Sequence, residues 1–146
     1  MITNCSITLY NKYTDKTTLK EMYKRTVIKK ANWQGEKESS MATTTTGKGV
    51  LNVVDSTNVY IPMINEFENK AYIEPKKWSK LLDSERNNYF TFQEADRIVK
   101  GECDFIQSAL NPITNLSSYD NVISVMSIGI NDYGSKTLNH FKIGGK

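Results

Sequence analysis

The sequence predicts a mainly β protein, a small β-barrel or sandwich with one short helix and a long loop rich in serine, threonine and glycine. Short stretches of alternating apolar and polar residues recur at roughly ten-residue intervals, with turn-forming residues between them. Only one stretch, which begins at Pro75, has apolar residues at helical spacing. These observations together favour about six to nine strands.

The rest of the chain is organised around 52–62, Asn-Val-Val-Asp-Ser-Thr-Asn-Val-Tyr-Ile-Pro. Its valine, tyrosine and isoleucine residues favour extended backbone. The polar residues 55–58 in its middle are of types that form turns. Pro62 ends the stretch because proline cannot donate a hydrogen bond to a strand ladder. We therefore expect either a hairpin here or one bent central strand.

The other predicted elements follow the alternation along the chain. The helix is predicted over 75–85, because Pro75 suits a first helical position and Trp78, Leu81 and Leu82 form a narrow apolar stripe. Gly101 predicts a tight bend or bulge. The remaining strands are predicted at 6–11, 18–33, 71–73, 89–92, 96–106, 121–130 and 138–143.

At 146 residues the chain is expected to form a single domain, 1–146. The tail Gly144-Gly145-Lys146 is expected to be flexible. The loop is predicted at 36–49, where four consecutive threonines lack an apolar face. It is either a mobile hairpin tip or a working loop that orders against partner subunits.

Positive charge is concentrated in one part of the chain. The whole sequence carries a net charge of +3, but residues 12–37 hold eight cations and three carboxylates. This patch suits contact with a polyanion or with an acidic neighbour, and it also fits a solvated charged surface.

The residues for common catalytic and metal sites are scarce. His140 is the single histidine, and Cys5 and Cys103 are the only cysteines, which we expect to stay reduced. Gly47-Lys48-Gly49 lacks the spacing of a phosphate-binding loop. We therefore predict no enzyme activity, no catalytic residues, no metal and no cofactor. The aromatic residues either stack bases or belong to the core; they are Trp33, Trp78, Tyr89, Phe90 and Phe92.

The cellular location of the protein is predicted from two kinds of segment that the sequence lacks. The first residues lack the basic and apolar regions of a signal peptide, and no apolar run is long enough to span a membrane. We expect a protein made in a cytoplasm and used there, or packed into a particle assembled there, without membrane contact.

Several stretches, taken in order, resemble a known family. They are Tyr23-Lys24-Arg25-Thr26-Val27-Ile28 with Trp33, Asp55-Ser56-Thr57 through Ile61-Pro62, and Asp96-Arg97-Ile98-Val99-Lys100-Gly101. The chain resembles the small minor-capsid (neck) proteins of tailed phages and prophages of Gram-positive bacteria. The resemblance spans nearly the whole chain. It departs from the pattern at Ala95, where glycine usually precedes the aspartate.

The resemblance implies a head-closure, or stopper, protein with a small β-barrel body. Such a protein forms a homo-oligomeric ring of six or twelve copies in the virion neck. Its partners are the portal or adaptor protein, the tail terminator or tail tube proteins, and the packaged double-stranded DNA in the channel. The alternatives are a tail terminator or adaptor ring of the same neck, or an oligonucleotide-binding barrel.

Two sets of site residues follow from this interpretation. The loop is expected to project toward the ring axis and to narrow the channel, with Lys37, Ser39, Ser40, Thr43, Thr44, Thr45, Thr46 and Lys48 as its working residues. Contacts with other subunits or neighbouring proteins are expected at Lys24, Arg25, Lys29, Lys30, Gly144, Gly145 and Lys146.

Overall fold

The computed structural model describes residues 2–43, 49–108 and 110–146. Within these ranges the chain forms eight β-strands, one α-helix and three 3₁₀ helices. The strands are β1 (Cys5–Thr14), β2 (Glu21–Thr43), β3 (Gly49–Pro62), β4 (Ala71–Tyr72), β5 (Tyr89–Phe90), β6 (Arg97–Lys100), β7 (Val122–Asn131) and β8 (His140–Gly145). The helix is α1 (Pro75–Lys80), and the 3₁₀ helices are Glu85–Asn88, Ile113–Ser118 and Lys136–Leu138.

Six of the strands close into an antiparallel barrel in the order β1-β2-β3-β8-β7-β6. Two long strands make this possible because each changes partner along its length. Strand β2 pairs with β1 through its first half and with β3 through its second half. Strand β7 pairs first with β6 and then with β8. The short strands β4 and β5 form a separate parallel pair. The prediction of a mainly β fold is confirmed.

The barrel is filled by side chains that alternate along the strands. Ile7 and Leu9 of β1 point into this core, as the period-two pattern predicted. On β7 the alternation is interrupted by a shift of register between Val125 and Ser127. This irregularity leaves Met126 exposed, and Ile128 then packs against the core. Strict alternation of buried and exposed residues along the predicted strand 121–130 therefore ends at Val125.

A second, smaller core lies on the outside of β1 and β6. Residues 101–121, which we call the flap, cover it with Cys103, Phe105 and Leu116. The flap begins where Gly101, at a φ of +87°, turns the chain away from β6. The bend predicted at Gly101 is confirmed, and it ends the strand at Lys100 instead of Ile106.

Hydrogen bonds hold the flap against β1. The Tyr10 hydroxyl donates to the Phe105 carbonyl oxygen over 2.7 Å. Thr8 Oγ1 donates to the Gly101 oxygen and accepts from the Cys103 amide, each over 2.8 Å. These bonds pair the Tyr10 and Thr8 hydroxyl groups, which would otherwise be buried without partners beneath the flap.

The helix is shorter than predicted and is attached to the barrel by its buried tryptophan. Helix α1 ends at Lys80, and the region to Asn88 continues as a turn and a 3₁₀ helix. Trp78 Nε1 donates to the Lys12 carbonyl oxygen over 3.0 Å. The buried Arg86 guanidinium bonds Asp83 over 2.6 Å and lies 4.8 Å from the centre of the Tyr13 ring. These contacts fix the segment against the end of β1.

The expectations for the loop and for the tail were wrong in part. Residues 36–43 belong to β2. The central stretch 52–62 lies in one strand, β3, so the alternative of a single central strand is confirmed over that of a hairpin. Gly144 and Gly145 are buried in β8 and pair with both β3 and β7. The tail is therefore ordered within its own chain, because the two glycines allow a close approach of backbone that larger residues would prevent.

Candidate functional site

The most distinctive feature of the barrel is a two-stranded extension, which we call the ribbon. It consists of residues 36–43 of β2 and 49–56 of β3, paired antiparallel from Glu36–Ser56 to Thr43–Gly49. The pairing of β3 with β8 stops at Thr57. In the part of the chain that the structure describes, no third strand pairs with the ribbon. Eight residues per strand give it a length of about 26 Å.

The ribbon contains part of the predicted channel loop. Lys37, Ser39, Ser40 and Thr43 lie on its β2 strand. The remaining predicted loop residues, Thr44, Thr45, Thr46 and Lys48, lie outside the described residues. The prediction of an irregular loop over 36–43 was wrong because pairing between backbone groups does not require an apolar face on either strand.

Most of the predicted basic contact residues are engaged within the chain. Lys24 Nζ donates to Asn87 Oδ1 over 2.8 Å, and Arg25 Nε donates to the Cys103 oxygen over 2.6 Å. Lys29 forms an ion pair with Glu102 over 2.6 Å. Lys30 is exposed, and its backbone amide donates to Asn65 Oδ1. These contacts connect β2 with the flap and with the segments that precede β4 and β5.

The tail residues contribute to the barrel wall. Beyond β8, the Lys146 amide donates to the Ser124 oxygen and the Ser124 amide donates to the Lys146 oxygen. Gly144 and Gly145 are buried, whereas Lys146 is exposed. Of the three predicted contact residues in the tail, Lys146 is therefore the one whose side chain faces solvent.

The aromatic residues do not form an exposed platform for bases. Trp33, Trp78, Phe90 and Phe92 are all buried, and Tyr89 is partly exposed. Phe90 and Phe92 pack edge to face at 5.7 Å inside the barrel core. The interpretation of these residues as core aromatics is confirmed for the four buried ones.

A buried carboxylate forms the densest polar cluster in the barrel, and the sequence did not single it out as such. Asp96 is fully buried, and its two oxygens accept hydrogen bonds from Asn11 Nδ2, the Lys12 amide and both nitrogen groups of Gln93. Burial raises the pKa of Asp96 to about 7, although these hydrogen bonds act to lower it. The cluster connects β1 to the entry of β6, so we assign it a structural role.

The single histidine is held by its neighbours near the turn between β7 and β8. His140 Nε2 lies 2.9 Å from Asn131 Nδ2, and Nδ1 lies 2.9 Å from the Leu138 carbonyl oxygen. Among the described residues, no group of three or more histidine, cysteine, aspartate or glutamate residues is placed to hold a metal ion. Within the same ranges, no helix combines the length and apolar character needed to cross a membrane.

Comparisons with known proteins give one match. Neither the curated proteins nor the solved structures include a match to the chain. The family described as a family of unknown function, DUF6751, matches residues 2–146. Because this match covers nearly the whole chain, the protein belongs to the DUF6751 family.

Proposed function

We propose that the protein is a structural component of the neck of a tailed phage or prophage, of the head-closure (stopper) type. It forms a ring between the portal or adaptor and the tail, retains packaged DNA and provides the platform on which the tail docks. The observation that carries this proposal is the ribbon, which extends from a closed barrel and pairs with no other described strand. The resemblance of the three sequence stretches to neck proteins supports the same assignment.

The backbone of the ribbon suits contacts between copies in a ring. In the described chain, one edge of each ribbon strand lacks a strand partner, and unpaired edges readily accept another strand. Copies related by rotation about one axis all direct their ribbons the same way. The β3 edge of one copy then faces the β2 edge of the next in antiparallel orientation, so hydrogen bonds between copies line the channel.

The composition of residues 36–49 suits a channel that contains DNA. The segment 36–49 includes two lysines and no arginine, and serine and threonine account for much of the rest. Clusters of arginine or lysine would hold phosphates tightly and in a salt-dependent way. A wall dominated by hydroxyl side chains narrows the channel without fixing the DNA to it.

The alternative of an oligonucleotide-binding barrel has less support. Binding of single strands on such barrels relies on exposed aromatic side chains that stack with bases. Four of the five candidate aromatics are buried here. A tail terminator or adaptor would share the ring and the barrel, and the ribbon favours the stopper position because that position must narrow the channel.

The proposed role of the ribbon in retaining DNA can be tested by replacing ribbon residues in particles made from the genome that encodes the chain. Residues 39–46 are exchanged for a Gly-Ser linker of equal length, and the DNA retained in purified heads is quantified after nuclease treatment. We expect the variant to fold and to join the neck while filled heads lose their DNA. As a matched control, the exposed residues 16–19 receive the same exchange and retain DNA. Stable, full particles with the exchanged ribbon would refute a closure role.

A further inference from the structure

The first part of the flap, residues 101–105, is bonded to the strands beneath it. On β1, the hydroxyl groups of Thr8 and Tyr10 bond its backbone at both ends. From β2, Arg25 Nε donates to the Cys103 carbonyl oxygen over 2.6 Å. Hydrogen bonds to two barrel strands therefore fix this part of the flap in place.

The second part of the flap, residues 110–120, lacks such bonds, and we call it the lid. In the part of the chain that the structure describes, neither a hydrogen bond nor an ion pair joins the lid to a barrel strand. Its hydrogen bonds either stay within the lid or reach back to the turn at Ile106 and Ser108. The lid is therefore attached to the barrel by side-chain packing.

This packing is limited to a small contact beside a cavity. Leu116 of the lid is 2% exposed and belongs to the second core, and the half-buried Ile113 packs against that core. A cavity of about 530 Å³ adjoins this contact, and its walls come from the lid and from β6 and β7, including Arg97 and Ser124. Because open space lies between these walls, the lid has few contacts to lose when it moves.

The lid lies against a buried thiol. Cys103, in the bonded part of the flap, is 4% exposed and packs in the second core together with Leu116. The adjacent Cys103 side chain raises the pKa of the Tyr119 hydroxyl, which belongs to the lid. Movement of the lid would therefore uncover this thiol without any change in the barrel.

We propose that the lid opens from β6 and β7 as a unit while residues 101–105 and the barrel stay folded. A segment with few buried apolar contacts opens at a lower free energy than the whole fold. Opening uncovers Arg97, Ser124 and the thiol of Cys103, so the lid controls access to this side of the barrel. The motion is a property of the isolated chain and does not rest on the proposed function.

Alkylation of Cys103 measures the opening. The parent protein for this test is the Cys5→Ser variant, in which Cys103 is the single thiol. Iodoacetamide is added at urea concentrations from zero to the unfolding midpoint, and the labelling rate is compared with the rate that global unfolding alone permits. Without urea, labelling should be at least about tenfold faster than that limit. At low urea concentrations it should be almost independent of urea, because opening the lid exposes little surface.

A thiol inside the barrel shows whether the opening is confined to the lid. Val59 of β3 is fully buried, and Val59→Cys is combined with Cys5→Ser and Cys103→Ala. This thiol should be labelled only through global unfolding, with the full dependence on urea. Labelling of Cys103 that follows global unfolding at every urea concentration, or equally fast labelling of both thiols, would overturn the proposal.

Two leucines of the lid provide a matched pair of variants. Leu116→Ala removes the buried contact, whereas Leu110→Ala changes a side chain that is 97% exposed. In the parent protein, Leu116→Ala should raise the labelling rate of Cys103 without urea by at least about tenfold. Leu110→Ala should leave that rate within about twofold.

Equal effects of the two leucine variants would contradict the assignment of Leu116 as the contact that holds the lid closed. If Leu116→Ala does not fold, the comparison of Cys103 with the thiol of Val59→Cys decides the proposal without it. None of these results bears on the presence of the protein in phage necks, which is measured on particles.

Discussion

Asn11 Nδ2 donates a hydrogen bond to Asp96 Oδ2 over 2.7 Å in the interior of the protein. The same nitrogen donates to the Thr91 carbonyl oxygen over 2.6 Å, and Asn11 Oδ1 accepts from the Thr91 amide over 3.2 Å. One buried asparagine on β1 therefore ties together the chain before β6 and the segment after β5. A buried polar group of this kind is stabilising only while all its partners are present.

The stability of the protein should depend on the ionisation of Asp96. Burial raises the pKa of this carboxyl in the folded state to about 7, from an ordinary value of 3.8. Between these values the folded state holds a proton that the unfolded state releases. The contribution of Asp96 to the free energy of unfolding is thus complete below pH 3.8, falls as the pH rises to about 7 and is constant above. The fall amounts to at most about 4 kcal/mol.

This pH dependence can be isolated with Asp96→Asn. The free energy of unfolding is measured by urea denaturation at pH 5 and pH 8 for the wild type and the variant. The variant is expected to be less stable at both pH values, because an amide cannot accept all of the hydrogen bonds. Its free energy of unfolding should change less between pH 5 and pH 8 than that of the wild type. An equal difference in both proteins would show that Asp96 does not titrate in this window.

Ala95→Gly should stabilise the barrel. Ala95 has a φ of +72°, in the left-handed region where a Cβ is unfavourable. The glycine that neck proteins usually carry at this position would remove about 1 kcal/mol of strain. Gly101→Ala is the matched opposite change. It puts a Cβ on a residue with a φ of +87°, and because that Cβ would meet no atom within 4 Å, the substitution adds backbone strain without a steric clash. Denaturation midpoints should move in opposite directions, and a loss of stability in Ala95→Gly would contradict the explanation.

Gly145→Ala should destabilise the fold strongly. A Cβ at this position would overlap the Ser124 carbonyl oxygen, which is backbone and cannot rotate away. We expect a loss of about 2 kcal/mol or more in the free energy of unfolding. Gly129→Ala is the control, because its Cβ would meet Lys142 Cβ at an ordinary 3.8 Å. Equal stability of the two variants would mean that the tail is not part of the barrel wall in solution.

The sequence predicted those elements in which the order of apolar and polar residues reflects which side chains are buried. Strand β1 follows from the alternation at Ile7 and Leu9, and helix α1 follows from Pro75 and Trp78. Residues 52–56 of the ribbon belong to the predicted central strand, but residues 36–43 were not predicted as a strand, because they are held by pairing with β3, which composition does not show. The tail was missed because glycine is used both for flexibility and for close packing, and only the neighbours of Gly145 distinguish the two.

The candidate surfaces were predicted less well than the fold. Lys24, Arg25 and Lys29 form a basic patch in the sequence, but their side chains bond Asn87, Cys103 and Glu102, which are distant along the chain. The exposure of Leu110 and the cavity beside Phe141 were not predicted, since both depend on how the flap and β8 pack. Such surfaces are set by tertiary contacts between segments far apart in sequence.

Electron cryo-microscopy of the particle neck tests the proposed function most directly. The measurement locates this chain relative to the portal and the tail in DNA-filled particles made from its genome. The account predicts a closed ring of copies on the channel axis, between the portal-adaptor and the tail, with the ribbons directed toward the axis. Particles that lack the chain, or that carry it as a single copy off the axis, would contradict the account.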